Sequence, residues 1–147
     1  MGKAARAIVI EGDKILVMQR VKYGAEYFTL VGGRVAEGET LEQALAREVH
    51  EETDLTVTAA RLVFIEEHPE PYNEQYTFLC SIAPHDSTID VREDSEEGYM
   101  NRLGANMHRP LWIQVQSFDR LPFRTPQLQQ AILQGLKKGF SDEPVRL

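Results

Sequence analysis

The sequence predicts an α+β fold in which a mixed β-sheet is packed between helices. Two observations carry this. Short runs rich in β-branched residues recur along the chain, broken by Gly and Pro, and one strongly patterned helix interrupts them early while a second follows near the end. Strands, helix, strands, helix is an order that buries helices against a sheet. At 147 residues, the chain is long enough for one hydrophobic core, so residues 1–147 read as a single domain.

In order, Ala4 to Glu11 is a β-branched run, Gly12-Asp13 a turn signal, and Lys14 to Arg20 (KILVMQR) a second run. Together they predict a β-hairpin. Val21 to Glu26 reads as a loop punctuated by Gly24, and Tyr27 to Val31 as a brief strand ending at Gly32-Gly33. The next helix has the clearest local signals. Thr40 is placed to be its N-cap, with Gln43 three residues later completing a capping box. Leu41, Leu45 and Val49 recur every fourth residue with Ala44 beside them, a stripe that asks for burial. Leu55 to Glu67 predicts one or two strands and Glu74 to Ile82 another, with Pro69, Pro71 and Pro84 as breaks. His85 to Arg109 is polar and acidic and reads as a long loop with one short strand near Ser87 to Val91, of the length usually associated with function or motion. Leu111 to Val115 is expected as the final strand, Gln127 to Lys138 as a final amphipathic helix, and the tail beyond Phe140 as frayed.

Composition narrows the function classes. Sixteen basic against 23 acidic residues give a net charge of -7, which disfavours non-specific binding to nucleic acid or to an anionic membrane. Any polyanionic substrate must therefore be met by a local cluster of cations. No apolar run approaches the length of a membrane span. The N-terminal stretch lacks the pattern of a secretory signal, and Gly2 does not open a myristoylation motif. Cys80 is the only cysteine, so an intrachain disulfide is excluded and a reducing, cytoplasmic setting is expected.

One feature of the helix is not explained by stability. Glu48, Glu51 and Glu52 stand at i, i+3 and i+4 and so project from one side. They crowd the C-terminal turns, where the helix dipole favours cations instead. Three glutamates on a helix are ordinarily a solvated face. A bound divalent cation is the alternative, since hard cations are held by carboxylate oxygens. Arg47 and Glu51, also i, i+4, are spaced to pair.

Read together, Gly33, Glu39, Arg47-Glu48-Val49, Glu51-Glu52 and Leu55 resemble the signature of the Nudix hydrolase family: Gly, five residues, Glu, seven residues, Arg-Glu-aliphatic, any residue, Glu-Glu, any residue, Gly-aliphatic. The flanking strand pair, the Gly-Gly before the box and the strand-helix ending are similar as well, so the resemblance covers nearly the whole chain. Asp54 stands where the family usually has glycine, at a helix end that favours a left-handed backbone. Aspartate is one of the less penalised substitutes there. Val31 replaces a common proline, which implies a slightly less rigid loop.

The resemblance implies a Nudix-like α/β/α sandwich and a pyrophosphohydrolase that cleaves a diphosphate bond in a nucleoside diphosphate derivative, using Mg2+ or Mn2+. Implied metal ligands are Glu48, Glu51, Glu52 and the Gly32 carbonyl, with Glu51 and Glu52 in catalytic roles; Glu51 is either a ligand or the group that takes the proton of water. Arg47 is implied to orient Glu51 or its neighbours instead of meeting substrate. A further metal carboxylate would come from Glu93, Asp94, Glu96 or Glu97, among which nothing chooses. Arg20, at a strand end, is a candidate for phosphate; as an exposed charge it needs no such role. Gly33 and Tyr72 are further substrate candidates. Tyr27 and Phe28 could stack on a base, though aromatics there more often pack the core, as Trp112 is expected to do. His50 is expected to be exposed on the helix, and His68, His85 and His108 show no ligand spacing.

The expected partner is a small nucleotide-type substrate, without nucleic acid or membrane, and a homodimer is common in the family. Pro71 lies where ADP-ribose hydrolases have proline, and Tyr72 where dinucleoside polyphosphate hydrolases have tyrosine, so the pair selects neither; nucleoside triphosphates stay open as well. Two alternatives differ in kind. An isoprenoid diphosphate isomerase on the same fold would need a nucleophilic cysteine, and Cys80 falls mid-strand. A non-catalytic nucleotide-sensing module would be expected to carry a degraded box or an added DNA-binding domain.

Overall fold

A computed structural model describes residues 2–68, 74–85 and 106–147. The first hairpin forms as predicted, β1 (Lys3–Glu11) and β2 (Lys14–Lys22) meeting at Ile10–Ile15 and Glu11–Lys14. Beyond those two pairs the strands part and take different neighbours. β1 pairs antiparallel with β4 (Val31–Arg34) and parallel with β6 (Glu74–Ile82), which pairs with β5 (Val57–Glu67). β2 pairs with β3 (Ala25–Thr29) on one side and β7 (Asn106–Gln114) on the other. The described strands thus form one mixed sheet of two lobes joined at the hairpin.

Helix α1 (Leu41–Thr53) covers one face and α2 (Pro126–Lys138) the other. Under α1 lie Ala5, Ala7, Val9, Leu16, Met18 and Val31 with Leu45 and Val49 from the helix. On the far face Ile8, Ile15, Val17 and Leu30 pack against Leu128 and Ile132 of α2 and against Phe118, from a 3-10 helix at Val115–Arg120. Alternate residues of β1 and β2 feed the two cores, as the two-residue strand period requires. This is the α/β/α sandwich expected from the sequence.

Five expectations change. Val21 to Glu26 is not a loop: β2 and β3 run through it, and only Tyr23 (φ 49°) and Gly24 (φ 83°) turn, both left-handed as a two-residue hairpin turn demands. Gly32 and Gly33 do not end a strand but sit inside β4, opposite Arg6 and Ala5 of β1. Val31 is likewise fully buried in β4, paired with Ala7, rather than in a loosened loop. The segment beyond Phe140 is not frayed throughout, because β8 (Val145–Arg146) adds a parallel strand to β5, and the Leu147 amide donates to the Ile65 carbonyl at 2.9 Å. Leu111–Val115 is therefore neither the whole of β7 nor the last strand. Pro71, Tyr72, the strand expected at Ser87 to Val91, and Glu93, Asp94, Glu96 and Glu97 lie outside the described residues.

Candidate active site

Local chemistry fixes α1 at both ends. The Thr40 hydroxyl accepts the Gln43 amide at 3.1 Å while the Gln43 side chain accepts the Thr40 amide at 2.9 Å, the reciprocal capping box. At the other end Asp54 caps with φ 63°, ψ 12°, the left-handed position usually given to glycine, and its amide donates to the His50 carbonyl at 2.9 Å.

Between these caps the carboxylates separate by burial. Glu48 is 7% and Glu52 3% exposed, so neither belongs to a solvated face. Only Glu51 stays in partial contact with water, its side chain 34% exposed. Two glycines make room for them. A Cβ on Gly33 would lie 2.6 Å from Glu48 Cδ, so the missing side chain is the seat of that carboxylate. The Gly32 amide donates to Glu52 Oε1 at 2.7 Å, and a Cβ on Gly32, at φ 131°, would collide with the Ala5 carbonyl. The glycine pair thus brings backbone and carboxylates together at a distance no other residue permits.

Arg47 ties the assembly together. Its main partner is Glu39, gripped by Nε at 2.7 Å and Nη2 at 3.0 Å in a forked pair. Nη1 lies 3.1 Å from Glu48 Oε1 and 3.4 Å from Glu51 Oε2, and Nη2 also reaches the Arg34 carbonyl at 3.1 Å. Hydrogen bonds from Arg47 and from the Ala36 amide hold the Glu39 carboxyl down at about 2, and Glu39 in turn raises the Arg47 pKa. Arg47 does reach Glu51, as its spacing predicts, but most strongly it anchors the loop before the helix.

Arg6 was not singled out by sequence. From β1 its Nη1 donates to the Gly32 carbonyl at 2.9 Å and its Nε to Gln75 Oε1 at 3.2 Å. Gln75 continues to Glu66 at 2.9 Å, a carboxylate 3% exposed that also accepts from Thr125 at 2.7 Å. The signal for Arg6 was a lone cation inside an otherwise apolar strand; Glu66 shares its strand end with Glu67 and had none.

Elsewhere, Arg20 lies opposite Tyr27 and His108 across β2. Burial, then the charges of Arg20 and Arg6, push His108 down to about 4, so it is neutral at pH 7. Phe28 is core, and Trp112 packs beside the α1 core with His85 stacked on it, ring centroids 6.0 Å apart. Cys80 is buried in β6, and desolvation pushes its thiol up to about 12, which leaves no thiolate for isomerase chemistry.

The donor set is suited to a hard cation: carboxylates and carbonyls that only accept. Among the described residues, however, no three acidic, His or Cys side chains stand close enough to share one ion. Arg47 lies between Glu48 and Glu51, and the Gly32 carbonyl has one lone pair engaged by Arg6.

A family profile for the NUDIX domain matches residues 1–132, which takes in every box residue. The chain belongs to the Nudix family. A NAD-capped RNA hydrolase NudC of Yersinia enterocolitica is 34% identical over 115 residues, covering 78% of this chain and 38% of that protein. The chain thus spans about two-fifths of the length of the curated Nudix relatives it matches. Among solved structures, a NUDIX hydrolase from Nitrosomonas europaea superposes with a TM-score of 0.68 at 19% identity, covering 95% of this chain and 90% of that one. A putative nudix hydrolase family member from Chromobacterium violaceum gives 0.61 at 24%, covering 94% and 77%. These two confirm the Nudix fold. Among the described residues no helix is long and apolar enough to cross a membrane.

Proposed function

We propose that residues 1–147 form one Nudix domain that hydrolyses the diphosphate bond of a nucleoside diphosphate derivative with the aid of Mg2+ or Mn2+. The observation that carries this is the seating of the buried Glu48 and Glu52 against the glycine pair, which gathers carboxylate oxygens and a backbone carbonyl at a helix end whose dipole disfavours negative charge. Glu48, Glu51 and Glu52, with the Gly32 carbonyl, are the residues to hold the cation. When bound it neutralises phosphate charge and lowers the pKa of water.

The chain's own groups do the rest. The Gly32 amide fixes the Glu52 carboxylate. Glu51, the carboxylate with access to water, is placed either to complete the ligand set or to take the proton of the attacking water. Arg47 holds Glu48 and Glu51 in register. Gly33 seats the Glu48 carboxylate where a side chain would stand, and Arg20 supplies a forked donor for a phosphate oxygen. Tyr72 is kept as a substrate candidate.

For the substrate class, the named relatives favour a dinucleotide with an internal diphosphate such as NAD, beside ADP-ribose and dinucleoside polyphosphates. A reducing, cytoplasmic setting suits the single buried thiol.

The test is a substrate panel (NAD, ADP-ribose, diadenosine polyphosphates, nucleoside triphosphates) with magnesium or manganese, read by product mass. Turnover of at least one is expected, with Glu52→Gln reducing it about a hundredfold or more. Full activity in that variant, or after exhaustive chelation, overturns the proposal.

A further inference from the structure

Away from the carboxylates, two guanidinium groups crowd one phenol. Arg124, in the segment leading into α2, stacks on Tyr27 with Cζ 4.3 Å from the ring centroid, and Arg20 approaches the same ring at 5.6 Å. Cation–π attraction accounts for each contact but not for bringing two like charges to one ring. A carboxylate would ordinarily neutralise them, and the chain has 23 acidic residues to supply one. Among the described residues neither arginine has such a partner. Arg47 and Arg146, by contrast, are paired with glutamates.

A hollow opens beside this stack. Tyr27 and Arg124 line a hollow of about 590 Å³ together with Pro122, Thr125, Pro126 and Gln129. Backbone bonds fix its wall: the Phe28 amide donates to the Pro122 carbonyl at 3.0 Å, and the Arg124 amide to the Phe28 carbonyl at 2.8 Å. Glu26, which also borders it, is tied to Gln19 at 2.6 Å, and strand alternation turns it to the opposite side from Tyr27. Across β2 from Tyr27, His108 carries no charge at pH 7, because burial and then the charges of Arg20 and Arg6 disfavour its protonated form.

We propose that Arg124 and Arg20, spaced by Tyr27, form a second anion subsite that takes a phosphate group of the substrate other than the diphosphate being cut. Tyr27 stands five residues before Gly32, which puts the two within about 18 Å along an extended chain. One nucleotide-type molecule spans both. Arg20 is shared with the phosphate role given to it above, so Arg124 is the residue that discriminates. The place of this subsite in a substrate rests on the hydrolase reading; its affinity for phosphate does not.

The phosphate has three chemical sources: a longer polyphosphate chain, a phosphate ester on a ribose, or a phosphodiester to a following nucleotide. Calorimetric binding in chelator, without metal, separates them by comparing AMP with ATP, adenosine 2′,5′-bisphosphate and the dinucleotide pApA. Wild-type protein is expected to bind at least one of the three about tenfold tighter than AMP, and the one preferred names the source. Arg124→Ala should erase that gain and leave AMP binding unchanged. Arg124→Gln, which keeps much of the side chain's length, should behave alike if the alanine variant folds poorly, and Tyr27→Phe should keep the preference. No preference over AMP in the wild type, or a preference that survives loss of Arg124, overturns the subsite. Preference without turnover of any panel substrate leaves the subsite standing and removes the hydrolase reading. Turnover without preference does the reverse.

Discussion

Two arginine environments in this molecule invite comparison. Arg47 on α1 spends all of its donors on the protein: Glu39 at two atoms, Glu48, Glu51 and a backbone carbonyl. Arg20 and Arg124 lean on a ring and meet no carboxylate among the described residues. A saturated guanidinium is a strut, because moving it would strand several buried or partly buried charges at once. An unsaturated one is available to something that arrives. In a chain of net charge -7, leaving cations unpaired is the less expected outcome, and it marks the β2–β3 edge as the side from which an anion is met.

The strongest way to break the contrast is to remove the seat under Glu48. Gly33→Ala places a methyl 2.6 Å from Glu48 Cδ, so the carboxylate must leave and Arg47 loses a partner. A stability loss of about 1–3 kcal/mol is expected in denaturant melts, with turnover falling alongside, while phosphate binding at Tyr27 and Arg124 is unchanged.

Acid should dissolve the strut over one pH window. The Glu39 pKa is lowered from 4.5 to about 2, so its contribution is complete above pH 4.5 and is lost as pH falls towards 2. The stability difference between wild type and Glu39→Gln, followed by urea melts, should be constant near neutrality and vanish over that window. A gap that persists at pH 2 would show that Glu39 contributes by something other than its charge.

The smallest effect belongs to the helix end. Asp54→Gly relieves a left-handed residue at φ 63° and should raise stability by about 0.5–1 kcal/mol, leaving both arginine environments untouched. An unchanged or lower melting temperature would mean that the Asp54–His50 pair, 3.4 Å apart, outweighs the strain.

What could be read from sequence was what is encoded locally. The capping box, the apolar stripe and the left-handed end of α1 all follow from residues within a few positions of one another, and all appear as expected. The glycine pair was read as a break because glycine usually is one. Its place inside β4 is set by Ala5, far away in sequence. The role of Glu39 depends on a partner eight residues on, across a loop. Arg6 becomes meaningful only when β4 and β6 flank β1. The Tyr27 stack needs the segment before α2 to fold back over β3, which no spacing announces.

Because β1 and β2 share only two residue pairs, the carboxylates beside β4 and the guanidiniums on the β2–β3 side hang from separate lobes of one sheet, linked where the chain passes through Gly12-Asp13 and again through Leu30. The backbone ladder that holds each set of charges is its own, so losing a side chain from one lobe leaves the hydrogen-bonded frame of the other in place.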